Sequence, residues 1–115
     1  MIRAAARYLP GLLLGLALLA GDATPALAET VPDRFAAGVQ AFREGRYDDA
    51  AQAFRDLSDK FRVASPDVQL NLGAAEFETG RPGPAIAALH RAIRLDPRSP
   101  SADTARVNLA RIRNV

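Results

Sequence analysis

Residues 66–99 read PDVQLNLGAAEFETGRPGPAIAALHRAIRLDPRS, and two glycines within them pose opposite questions. Gly80 closes an apolar-periodic run, where glycine accepts the left-handed conformation beyond a helix end without steric cost. Gly73 falls inside that run, where glycine costs about 1 kcal/mol relative to alanine. The rest of the chain accounts for both. Gly38 precedes Gly73 by 35 residues, and Gly45 precedes Gly80 by 35. The pairs Phe35/Leu70, Phe42/Phe77, Ala50/Ala85 and Phe54/Leu89 keep the same spacing. Small residues match small and apolar match apolar, which is the signature of an internal structural repeat. A glycine repeated inside both units marks a place where a paired helix comes close.

Within each unit the periodicity is helical. Phe35, Val39 and Phe42 follow i, i+4, i+7, as do Leu70, Ala74 and Phe77. After Gly45 the same spacing runs through Ala50, Phe54, Leu57 and Phe61, and after Gly80 through Ala85, Leu89, Ala92 and Ile93. Thr30 with Asp33 three residues on, and Ser65 before Pro66-Asp67, read as helix starts. Pro82 and Pro84 suit the first turn of a fourth helix, and Pro97 and Pro100 stop it. Ser99 or Ser101 then caps a fifth helix carrying Ala105, Leu109 and Ile112 on one face. No strand pattern competes.

A helical hairpin of about 34 residues with Leu72-Gly73 in its first helix, Ala85 and Ala92 in its second and a closing Pro97 resembles the tetratricopeptide repeat (TPR). Residues 31–65 match as a first repeat through Gly38, Gly45, Tyr47, Ala50, Phe54 and Leu57, with one extra residue before the second, 66–99. The resemblance implies an all-α fold, a short TPR-like α-solenoid of two helix–turn–helix repeats plus a capping helix over 100–115. Arg34 and Gln69 stand where the family prefers tryptophan, and Ala41 and Glu76 where it prefers tyrosine, so lighter packing within each hairpin is expected. Residues 71–113 are also similar to the TPR segment of aerotolerance-operon BatE proteins. Periplasmic TPR proteins of the Tol system and of envelope synthesis are an equal alternative.

The first 28 residues follow another logic. Arg3 and Arg7 precede the apolar run 12–21, and Ala26-Leu27-Ala28 offers small residues at both positions of a cleavage site. This is the pattern of a signal peptide cut after Ala28, which implies a periplasmic or secreted domain over 29–115. The alternative is a chain anchored through an uncleaved signal; otherwise the membrane is met only transiently. Cysteine is absent from the whole sequence, which excludes disulfides and thiolate metal sites. Residues 29–115 hold 13 basic and 12 acidic side chains, too even a balance for a nucleic-acid binder. The charge is polarised: residues 29–78 carry 6 basic and 10 acidic side chains, residues 79–115 carry 7 and 2. The basic half could meet an acidic partner, or the halves could complement each other within the fold or between copies.

Catalytic chemistry has little to stand on. The one histidine, His90, follows the inward Leu89 and is expected to face solvent without an oriented partner. Asp48-Asp49 fits the positive end of a helix better than a metal site. Ser58, Ser65, Ser99 and Ser101 lack a base at a recognisable spacing, and no phosphate loop or metalloprotease motif occurs. No enzyme activity, cofactor or metal is expected. In a TPR the first helix of each hairpin lines the concave surface, so the resemblance makes Phe35, Val39, Phe42, Leu70, Ala74 and Phe77 candidates for binding a partner segment. The same stripes could instead be core. Asn71 matches one position of the clamp with which some TPR domains hold acidic tails, but Phe35 and Val39 replace its lysine and asparagine. The expected function is therefore a protein or peptide interaction module, with self-association between copies as the alternative.

Overall fold

The computed structural model describes residues 28–114. The expected signal peptide lies outside them except for Ala28. Five helices and no strand occur among the described residues: α1 (Val31–Arg43), α2 (Tyr47–Asp59), α3 (Pro66–Glu78), α4 (Pro82–Leu95) and α5 (Pro100–Arg113). None of these is long and apolar enough to cross a membrane.

Local chemistry sets the boundaries. Thr30 caps α1 in a reciprocal box: its hydroxyl accepts from the Asp33 N–H at 3.2 Å, and its own N–H donates to the Asp33 carboxylate at 3.3 Å. Ser65 caps α3 by accepting from the Asp67 and Val68 amides. Of the two serines offered for α5, Ser99 is the cap, and Pro100 opens the helix rather than merely stopping α4. The two hairpin turns are copies. Gly45 and Gly80 have φ of +77° and +82°, so the amides of Arg46 and Arg81 reach back to the carbonyls of Ala41 and Glu76 at 2.8 and 2.9 Å.

Helices α1–α2 and α3–α4 form successive hairpins, and α3 touches all four other helices. One core cluster joins the hairpins through Phe54, Leu57, Val68 and Leu72 among buried alanines. A second joins Leu89 and Ala92 of α4 to Ala105 and Leu109 of α5, so α5 covers the apolar end of the second hairpin. This satisfies the rule that a repeat buries its apolar face on a neighbour.

The interior glycines are explained by distance. A Cβ on Gly38 would lie 2.7 Å from the Phe54 ring, and one on Gly73 would lie 2.8 Å from Leu89 and 3.2 Å from the Ala85 carbonyl oxygen. Phe54 and Leu89 are both fully buried and have nowhere to retreat. Close approach of the paired helix therefore outweighs the glycine penalty.

One expectation fails. Phe61 is not on the inward face of α2, because the helix ends at Asp59 and Phe61 is exposed. No glycine closes this helix. The chain turns instead through Arg62, which has φ of +58°, and the Val63 amide then reaches the Leu57 carbonyl at 2.9 Å.

Candidate partner-binding site

The six residues proposed for the concave surface are all half-buried, so neither simple alternative, open groove or closed core, describes them. Phe35, Val39 and Phe42 pack on the core shared by the two hairpins. Phe35 meets Phe54 edge to face with centroids 5.4 Å apart, and Phe42 meets Tyr47 likewise at 5.0 Å. Leu70 packs on the second core, under α5. Ala74 and Phe77 line an opening.

Two clefts lie between neighbouring first helices. The one between α3 and α5 has a volume of about 200 Å³, with Leu89 and Gly73 among its walls, Ala74 and Phe77 on one side and Asn108, Arg111 and Ile112 on the other. The one between α1 and α3 measures about 410 Å³, is predominantly apolar, and is bordered by Val31, Phe35, Val63 and Val68. The structure thus assigns Phe35 to one cleft and Phe77 with Ala74 to the other, while Val39, Phe42 and Leu70 line neither. Asn108, Arg111 and Ile112 were not among the candidates. "VNLARI" (107–112) echoes "LNLGAA" (70–75), so α5 stands where the first helix of a third unit would and lends these side chains to the cleft.

The sequence also concealed a buried polar scaffold behind this surface. Gln69 and Glu76, at the positions expected to leave the packing light, are 3% and 4% exposed. Gln69 donates to the Ser58 hydroxyl at 3.0 Å and accepts from Arg91 Nε at 2.9 Å. Glu76 accepts from Arg55 of the other hairpin at 2.7 Å and from Arg81 at 2.6 Å, and Arg81 also reaches Asp48 at 3.3 Å. Burial pushes the Glu76 carboxyl up, but the hydrogen bonds and charges of Arg55 and Arg81 outweigh it and hold the group below its ordinary value of 4.5. Polar pairing fills the space where the family's aromatic residues would stand. In the first repeat Arg34 pairs with Glu29 at 2.8 Å and lies 3.9 Å from Asp56.

His90 is exposed on α4, as its position after Leu89 implied. Asp48 and Asp49 sit in the first turn of α2 and pair with Arg81 and Arg46. Ser65 and Ser99 are caps, and Ser101 donates to the Asp67 carboxylate, tying α5 to α3. Asn71 spends its amide on the Asp67 carbonyl of its own helix at 2.8 Å, so it is not poised to clamp an incoming carboxylate. Among the described residues no three His, Asp or Glu side chains come together in a metal-holding group.

A family model described as tetratricopeptide repeat matches residues 35–100. No curated protein and no solved structure matches the chain.

Proposed function

The chain belongs to the tetratricopeptide-repeat family, and from that premise we propose that it is an adaptor of the bacterial cell envelope that holds a segment of a partner protein against α1, α3 and α5. The family is in general a non-enzymatic interaction fold whose repeats mediate protein–protein contacts. The envelope location rests on the signal-peptide pattern of residues 1–28, and the likeness to BatE proteins points the same way. The observation that carries the binding reading is the cleft between α3 and α5. It offers a half-exposed aromatic, Phe77, beside a small residue, Ala74, with Asn108 and Arg111 opposite to orient a polar backbone.

A photo-crosslinking residue at position 77 in the full chain tests this in cells. The expected result is a discrete protein adduct that disappears when Ala74→Glu fills the cleft. The control is the same crosslinker at Val107, which is 53% exposed. Equal adducts at both positions, or an adduct indifferent to Ala74→Glu, would sink the groove.

Self-association remains the second reading, and one observation favours it. The outer groove between α1 and α2, about 420 Å³ and bordered by Arg34, Gln40, Asp49 and Gln52, corresponds to the surface that α2 covers on the second hairpin. Sedimentation of the full chain at rising concentration decides it: a persistent monomer removes this alternative.

A further inference from the structure

Away from the α3–α5 cleft, the C-terminal ends of α2 and α4 and the loop between α2 and α3 enclose a cleft of about 440 Å³. Arg62, Arg91 and Arg94 border it, no carboxylate does, and Val63, Ala64 and Leu95 supply its apolar part. Arg34, Arg46, Arg55, Arg81 and Arg106 form ion pairs, whereas Arg43, Arg98, Arg111 and Arg113 are unpaired among the described residues but do not border this cleft. Among the described residues, Arg62, Arg91 and Arg94 have no acidic partner within 4 Å. Arg91 is nonetheless positioned, because its Nε donates to Gln69, which the Ser58 hydroxyl holds in turn. Its two terminal amino groups make no hydrogen bond among the described residues.

Arg62 reaches the cleft from the turn that ends α2, where its left-handed backbone lets the Val63 amide bond the Leu57 carbonyl. The first repeat is one residue longer than the 34-residue frame, and the loop that carries the extra residue holds Arg62 at φ +58°. Left-handed backbone is costly for a residue with a Cβ and is retained only where the surroundings over-determine it. Here it sets a long cation at the edge of the cleft. Leu95, 44% exposed, lies in the same lining.

We propose that this cleft binds an acidic peptide segment, with Arg62, Arg91 and Arg94 taking its carboxylates and Leu95 with Val63 taking an apolar side chain between them. Guanidinium groups suit this role because they bind carboxylates through paired, parallel hydrogen bonds. A protein segment is favoured over an anionic membrane on two grounds. The first is shape, since the site is a concavity rather than a flat face; the second is composition, since its arginines alternate with the apolar Val63, Ala64 and Leu95, which suit a side chain of a peptide.

The test is fluorescence anisotropy of the full chain with a labelled Glu-Glu-Leu-Glu-Glu peptide and its Gln-Gln-Leu-Gln-Gln counterpart. Binding of the acidic peptide is expected to weaken about tenfold between 50 and 500 mM NaCl, as screening of exposed charges requires. Arg62→Gln with Arg94→Gln, both at exposed positions, is expected to weaken it about tenfold or more with helical circular dichroism unchanged. Ala74→Glu, which blocks the α3–α5 cleft, is expected to leave it within about twofold, because sites without shared partners act independently. Thus the two sites can fail separately. Equal binding of the two peptides, or indifference to the arginine substitutions, overturns the proposal. So does arginine-dependent binding to phosphatidylglycerol vesicles without peptide binding, or an arginine-dependent dimer that leaves the peptide unbound.

Discussion

The two hairpins follow one backbone plan with different cements. In α1–α2 the contact across the glycine is aromatic: Phe54 lies over Gly38 and also meets Phe35 edge to face. In α3–α4 the matching contact is aliphatic, Leu89 over Gly73, and the neighbouring position carries the buried Glu76 where the first hairpin has Ala41. The turn arginines diverge as well. Arg46 pairs locally with Glu44 and Asp49, whereas Arg81 binds Glu76 and reaches across to Asp48 of the first hairpin. The turn arginine of the first hairpin thus pairs only within its own hairpin. That of the second pairs both within its hairpin and across to the first, which is stacked against it.

The largest expected effect lies in the glycine contacts' partners. Phe54→Ala should cost about 3–5 kcal/mol and Leu89→Ala about 2–4 kcal/mol, measured by urea unfolding at pH 7. The reverse order would break the contrast between an aromatic and an aliphatic hairpin. Next comes Glu76→Gln, at about 2 kcal/mol. That is less than for a fully buried pair, because Arg55 and Arg81 keep 35% and 42% of their side chains in water. A carboxyl lowered in the folded state gives its full stabilisation above its unfolded value and loses it as pH falls through the folded one. The gap between wild type and Glu76→Gln should therefore narrow below about pH 4.5. A gap that stays constant down to pH 3 would mean that the charge of Glu76 contributes nothing.

Gly38→Ala and Gly73→Ala should each cost about 1–2 kcal/mol, since overpacking outweighs the gain in helix propensity. Phe54→Leu should recover part of the loss in the Gly38→Ala background, and strict additivity of the pair would remove the close-contact explanation. Smallest are the caps. Ser65→Ala should cost about 1 kcal/mol, and Thr30→Ala about 0.5 kcal/mol, because α1 packs chiefly on α2 whereas α3 touches all four other helices. Amide hydrogen exchange in the first turns of α3 and α1 separates a cooperative loss from local fraying.

Much of the fold was readable from spacing. Turn glycines, capping residues and helical apolar periods are local signals, and each acts within a few residues of itself. Phe61 escaped because the end of α2 depends on a left-handed arginine that no local rule anticipates. The candidate site was legible only in part. Phe35, Ala74 and Phe77 reach the two clefts, but whether a half-apolar stripe is covered depends on how far α5 overlaps α3, which the period does not state. Gln69 and Glu76 looked like missing aromatics because their partners, Arg91 and Arg55, lie 22 and 21 residues away on other helices.

By itself the sequence determined the repeat, its two hairpins and the glycines on which the helices close, since a 35-residue period and helix propensity are encoded along the chain. Only the tertiary structure decided which polar residues are buried and paired, and where clefts stay open. Those outcomes depend on the juxtaposition of side chains from different helices. Desolvating a carboxylate such as Glu76 is tolerable only when two guanidinium groups arrive with it.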